Sequence, residues 1–273
     1  MNPLGEKYLR KEALPFLWCV GCGIGTVLNA AIRAIDKLGI FEKTAFVGGI
    51  GCSGWIPVYI NADTLHTLHG RTLAFATGLK MSDPSRKVIV FTGDGDCLGI
   101  GGNHFIHCAR RNLDVTVILV NNQIYGMTGG QVSPATPRRA RSKTSVFGNP
   151  ESPFDAAKLA QAAGAGYIAR WTTAHPTQLA RSIAEAISYE GFALVEVMAQ
   201  CPTQAGRLMY GVSDPAAVLE ILKSKTINIK RIKKATPQEL KDKLPIGTLH
   251  RDDQGLEFVC SYKQIAQEAA ASI

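Results

Sequence analysis

Apolar β-branched runs alternate with helix-spaced apolar positions along most of this 273-residue chain. Lys87 to Thr92 and Val115 to Val120 are nearly continuous in Val, Ile, Leu and Phe. A strand covered on both faces of a parallel sheet needs that continuity. Thr44 to Gly48, Gly166 to Trp171 and Phe192 to Met198 complete the set of predicted strands. Between them, Gly25 to Leu38 carries Leu28, Ala31, Ile32 and Ile35 at helical spacing, with Gly39 as its stop. Further helices are predicted over Leu65 to Leu79, Asn103 to Arg111, Asp155 to Ala163 and Pro176 to Tyr189, the last with proline at its start. Strands alternating with helices predict βαβ units, hence an α/β fold with a doubly wound, mostly parallel sheet.

Two stretches break the pattern. Gly126 to Pro153 is rich in Gly, Ser, Thr, Pro and Arg and lacks periodicity. A loop that long in a compact domain is functional or packed on a partner. After Asp214 comes a short helix, and from Lys223 onward β-branched, basic and proline residues mix. Residues 1–222 are therefore expected as one domain and 223–273 as a C-terminal arm or appendage.

Composition narrows the class. Apolar residues make up 46% and charged residues 19%, which fits a compact chain and not a disordered one. The apolar runs are strand-sized, short of a membrane span. No secretory pattern opens the chain, so the expected location is the cytoplasm. The formal charge of +8 includes clusters at Arg138 to Lys143 and Lys223 to Lys234. Nucleic-acid binding would want a recognisable module or aromatics among the basic residues, and neither is found. The clusters read as solvated surface or as a face for an acidic electron carrier.

The strand at Lys87 ends in Gly93-Asp94-Gly95-Asp96, followed by Gly99, Gly101, Gly102 and a helix. Ligands of open α/β sheets bind at the carboxyl ends of strands. Glycines admit a diphosphate to the backbone, and the helix offers free N–H groups. Asp94 offers a hard carboxylate to a bridging cation. The next strand ends in Asn121-Asn122, one βαβ step later, so Asp94 and Asn122 can face one ion. Magnesium takes few protein oxygens and fills its octahedron with phosphate and water. A dinucleotide site fits less well, because no G-x-G-x-x-G follows the first strand.

Seven cysteines in a reducing compartment are core residues, nucleophiles or metal ligands. Cys19-Val20-Gly21-Cys22 is a C-x-x-C pair, open to redox, zinc or iron–sulfur use. Zinc would want a second such pair, which is absent from the sequence. Cys52 lies in Gly48-Gly49-Ile50-Gly51-Cys52-Ser53-Gly54, and Cys201 precedes Pro202 at a strand end. Four thiolates from a helix start and two strand ends suit a [4Fe–4S] cluster. Cys97, Cys108 and Cys260 are expected as small buried apolar residues.

Gly-Asp-Gly followed at this interval by Asn-Asn resembles the diphosphate motif of thiamine diphosphate enzymes. The resemblance implies that Asp94 and the Asn122 side chain bind magnesium, with the Ile124 carbonyl as third protein ligand. The wider pattern is similar to the beta subunits of 2-oxoacid:ferredoxin oxidoreductases, most of all the 2-oxoglutarate type. It is carried by Trp18 to Gly23, Gly49 to Gly54, His66 to Arg71, Gly93 to Asp96 and Cys201 to Thr203. That resemblance implies oxidative decarboxylation of a 2-oxoacid to acyl-CoA and CO2, with electrons passing to ferredoxin through a [4Fe–4S] cluster held by Cys19, Cys22, Cys52 and Cys201. It implies a separate alpha subunit that completes the site. Cofactor contacts are expected from Gly51, Cys52, Ser53, His69, Gly93, Asp94, Gly95, Asp96, Asn122 and Ile124. His66 and His69, three apart, are placed on one helical face. His69 becomes a catalytic candidate, for proton transfer or for binding the substrate carboxylate. Some relatives carry lysine where this chain has Trp55, which leaves the 2-oxoacid open between 2-oxoglutarate, pyruvate and branched-chain substrates. A cluster-free thiamine diphosphate decarboxylase or synthase subunit leaves the four cysteines idle. A basic zinc- or nucleic-acid-binding protein leaves both glycine loops unexplained.

Overall fold

In a computed structural model, residues 3–272 are described. Eight strands are present: β1 (Thr44–Gly48), β2 (Thr64–His66), β3 (Lys87–Gly93), β4 (Val115–Asn121), β5 (Tyr167–Thr172), β6 (Phe192–Met198), β7 (Thr226–Asn228) and β8 (Leu244–Arg251). They form one sheet in the order β2-β1-β3-β4-β6-β5-β8-β7. From β2 to β5 every pairing is parallel, and only β8 runs antiparallel to its neighbour β5. The carboxyl ends of β1, β3, β4 and β6 therefore open on one edge.

The continuous apolar runs behave as their composition demands. Phe46, Ile89, Phe91, Ile118 and Val120 face one core layer, under the helices Ile24–Leu38 and Pro176–Ser188. Val47, Val88, Val90, Val117 and Leu119 face the other, under Thr72–Ser82, Gly102–Arg110 and Ala156–Ala163. Alternate side chains thus bury on opposite faces, each worth about 1.5–3 kcal/mol when a large aliphatic is fully covered.

The expected helix over Leu65 to Leu79 is not formed as one unit. Thr64–His66 pairs in parallel with Phe46–Gly48 as β2, and the helix begins at Thr72. Gly70, at φ +67°, turns the chain between them. His66 and His69 consequently share no helical face. His66 ends an edge strand with its ring 5.6 Å from the Trp55 ring, whereas His69 lies in the turn.

Residues 223–273 supply β7 and β8 to the sheet and the mostly exposed helix Phe258–Ala271. The long stretch from Gly126 to Pro153 forms no strand or helix, and part of it packs over the carboxyl edge. Among the described residues, no helix is long and apolar enough to cross a membrane.

Candidate active site

Asp94 follows β3 directly and is almost wholly buried. One carboxylate oxygen accepts the Asn122 N–H at 3.4 Å, and the other accepts the Ser133 hydroxyl. Burial pushes its pKa up to about 7, against the lowering effect of those bonds. A cation bound beside it would stabilise such a desolvated carboxylate in its charged form. Across from it, the Ile124 N–H donates to Asn122 Oδ1 at 3.3 Å, closing a tight turn. Tyr125 closes the loop against β3. Its hydroxyl donates to the Gly95 carbonyl at 3.1 Å, and a β-carbon at Gly95 would lie 2.1 Å from its ring. Only glycine fits there.

Asp96 accepts five hydrogen bonds. They come from the Thr92 hydroxyl at 2.6 Å, the Thr72 hydroxyl at 3.1 Å, the Gly70 N–H at 2.7 Å, the Ile50 N–H at 3.2 Å and His69 Nδ1 at 2.8 Å. It ties the loops after β1, β2 and β3 together. Through Nδ1 it also holds His69, whose ring is 6.2 Å from that of Tyr125.

These groups surround a cavity of about 290 Å³. All ten residues expected to contact the cofactor line it: Gly51, Cys52, Ser53, His69, Gly93, Asp94, Gly95, Asp96, Asn122 and Ile124. Tyr125 and Met127 also line it, and Ser133 backs it through Asp94. The sequence reading named none of these three. The sequence reads the Gly126–Pro153 loop as functional or packed on a partner, but nothing local distinguishes Ser133 from its neighbours.

A second cavity, of about 280 Å³, adjoins the first. Cys19, Cys22, Cys52 and Cys201 all line it, with Trp18 and Trp55. Cys52, Asn122, Gly126 and Met127 belong to both walls. A β-carbon at Gly126 would lie 3.6 Å from Cys201 Sγ, 3.8 Å from Asn122 Nδ2 and 3.9 Å from Cys52 Sγ, so these three groups converge on one point. The Trp18 indole donates to the Cys52 carbonyl at 2.7 Å and pins that loop. Burial pushes the Cys22 thiol up to about 12 and the Cys52 thiol up to about 11, and raises Cys201 in the same direction. Neighbouring thiols add to each shift. Among the described residues, no three His, Cys, Asp or Glu side chains are already drawn together at metal-bonding range.

The three remaining cysteines divide. Cys97 and Cys108 are buried apolar residues, as expected. Cys260 is not: it is exposed on the Phe258–Ala271 helix, which presents little buried surface to the sheet.

Residues 49–197 match the family described as thiamine pyrophosphate enzyme, C-terminal TPP binding domain. Over 258 residues the chain is 49% identical to 2-oxoglutarate synthase subunit KorB of Methanothermobacter thermautotrophicus, covering 93% of this chain and 90% of that protein. It is 37% identical to the 2-oxoacid:ferredoxin oxidoreductase subunit beta of Saccharolobus solfataricus, over 93% of this chain and 87% of that one. Among solved structures it resembles a 2-oxoglutarate:ferredoxin oxidoreductase from Magnetococcus marinus with 2-oxoglutarate, coenzyme A and succinyl-CoA bound. The TM-score is 0.87 at 31% identity, covering 97% of this chain and 90% of that one. With the doubly wound sheet and the loops at its carboxyl edge, these similarities settle the family: the chain belongs to the thiamine pyrophosphate enzymes and, among them, to the beta subunits of 2-oxoacid:ferredoxin oxidoreductases.

Proposed function

We propose that this chain is the beta subunit of an enzyme that converts 2-oxoglutarate and coenzyme A to succinyl-CoA and CO2, with ferredoxin taking the electrons. The observation that carries the reading is the pair of adjoining cavities, one walled by Asp94 and Asn122 and the other by four cysteines, with Cys52 and Asn122 common to both. The named relative at 49% identity supports 2-oxoglutarate over other 2-oxoacids.

Thiamine diphosphate, when bound, supplies the carbon nucleophile for the keto group and the electron sink for decarboxylation. Asp94, Asn122 and the Ile124 carbonyl would hold its magnesium; Gly93 and Gly95 line the cavity that would take the diphosphate. Gly51, Cys52 and Ser53 line the same cavity after β1. His69, fixed through Nδ1 by Asp96, would use its other ring nitrogen for proton transfer or for the substrate carboxylate. Cys19, Cys22, Cys52 and Cys201 would hold a [4Fe–4S] cluster, which would supply a one-electron acceptor. Raised thiols must lose their protons to ligate, and metal binding drives that loss.

None of the residues lining the cofactor cavity is Lys or Arg. We therefore assign the cation that meets a dicarboxylate substrate to the alpha subunit, and we place the complex in the cytoplasm.

One anaerobic preparation, co-purified with the alpha subunit, tests the whole reading. The expected protein is brown, contains iron and thiamine diphosphate, and loses visible absorbance when 2-oxoglutarate and coenzyme A are added together. A colourless preparation with bound thiamine diphosphate would eliminate the cluster; bleaching by pyruvate but not 2-oxoglutarate would eliminate the substrate.

A further inference from the structure

Gln123 sits between the two loop residues assigned to magnesium, and it has a left-handed backbone, at φ +65°. Residues with a β-carbon avoid that region unless their surroundings hold them in it. Three contacts do so here. The Gln123 N–H donates to Asn121 Oδ1 at 3.1 Å, its carbonyl accepts the Thr136 hydroxyl at 2.6 Å, and its side-chain oxygen accepts the Tyr210 hydroxyl at 3.1 Å.

Asn121 has no freedom to turn. It is buried, and its Nδ2 donates to Glu196 Oε1 at 2.8 Å. The other Glu196 oxygen accepts from Arg170 Nε at 2.7 Å, and Arg170 goes on to pair with Asp155. Glu196 on β6 and Arg170 on β5 are both buried inside the sheet. A carboxylate only accepts hydrogen bonds. The amide nitrogen must therefore face Glu196, which leaves the amide oxygen aimed at Gln123. The reversal at Gln123 is what brings the Ile124 N–H back to Asn122 Oδ1 at 3.3 Å.

We infer that Asn121, oriented by Glu196, is a positioning residue for the magnesium loop: it holds Gln123 left-handed so that Asn122 and the Ile124 carbonyl face Asp94, and does not itself touch the metal. The inference deepens the magnesium reading of Asp94 and Asn122 and rests on it. A buried charged strand pair thereby gains a task, since Arg170 and Glu196 interrupt strands that are otherwise largely apolar.

The test uses the complex with the alpha subunit, loaded with thiamine diphosphate, and manganese(II) as the probe ion. Binding is read from the loss of the free-ion EPR signal, independently of turnover. Asn121→Ala is expected to weaken manganese binding about 10–100-fold, the range for groups that orient metal ligands. Adding Gln123→Gly to it should recover most of that loss, because glycine adopts positive φ without the clamp. Gln123→Gly and Gln123→Val both lose the Tyr210 contact, yet only valine resists the left-handed backbone, so valine should bind the ion weakly and glycine close to the parent. These two variants leave the buried Asn121–Glu196–Arg170 chain intact, and they decide the matter even if Asn121→Ala does not fold. Equal affinities for the glycine and valine variants, or a double variant no tighter than Asn121→Ala, would overturn the inference. Asp94→Ala separates the levels. Unchanged manganese binding there removes the underlying magnesium reading. Weakened binding there with normal binding in Asn121→Ala removes the clamp alone.

Discussion

In the cofactor cavity the acidic groups are engaged by protein: Asp96 accepts five hydrogen bonds and Asp94 two. In the cysteine cavity next to it the thiols come from three distant segments, and burial with mutual repulsion lowers the acidity of Cys22, Cys52 and Cys201. The first site is organised by folding itself. The second gathers thiols around one cavity, and under the proposed reading a metal would complete their arrangement. Preorganised sites lose function when a hydrogen-bonding partner is removed, whereas metal-completed sites lose it when a ligand or a deprotonation step is removed.

The largest effect is expected from the most connected group. Asp96→Ala leaves five donors without their acceptor, three of them on loops that face the cofactor. At about 1–3 kcal/mol for each buried donor left unsatisfied, the fold should lose several kcal/mol and the cofactor together. Thermal unfolding checks the first loss and thiamine retained after desalting the second. An unchanged melting temperature would show that the hub is not structural.

Asp94→Ala comes next, because it removes two hydrogen bonds and the proposed magnesium ligand but leaves the hub. Cofactor retention should fall by more than about 100-fold, beyond the range for outer-sphere partners, while the iron spectrum stays as in the parent. Normal thiamine content would take Asp94 out of the site.

Cys201→Ala reverses that pattern. Iron should be lost or the cluster converted, with thiamine diphosphate still bound; iron content equal to the parent would remove Cys201 from the ligand set. The acid–base sign is also fixed. Thiols raised above 9 are protonated at neutral pH and must release protons to bind iron, so reconstitution of the apoprotein should proceed further at pH 9 than at pH 7. Iron uptake that falls over this interval would contradict the assignment.

The two cavities also differ in how far the sequence discloses them. The cofactor loops were legible because local rules determine them: continuous apolar strands at β3 and β4 end in glycine, acid and amide residues at the sheet's binding edge. The cysteine set was legible as spacing and strand-end placement. What escaped depends on contacts distant in sequence. β2 exists because Thr64–His66 finds β1 across eighteen residues, and no local signal outweighed the helical look of Leu65 to Leu79. Ser133 reaches Asp94 from 39 residues away. The polar chain from Asn121 to Arg170 spans three strands, and along the sequence it appears only as charges interrupting apolar runs.

The smallest effect tests the boundary between the cysteines that serve the site and those that serve the core. Cys108 lies under the Thr72–Ser82 helix, its sulfur 3.4 Å from the Thr77 hydroxyl and 3.7 Å from the Leu73 carbonyl. Burial raises its thiol, as it does those of Cys22 and Cys52, so acidity alone does not separate the two classes. Position does, because Cys108 belongs to the core layer on one face of the sheet and touches neither cavity. Cys108→Ala removes one buried heavy atom, comparable to a methylene, and should cost about 1 kcal/mol, or roughly 2–4 °C in Tm. Iron and thiamine contents should equal the parent's. A loss of iron in this variant would mean that burial, not placement at the carboxyl edge, selects the ligands, and the contrast between the two cavities would fail.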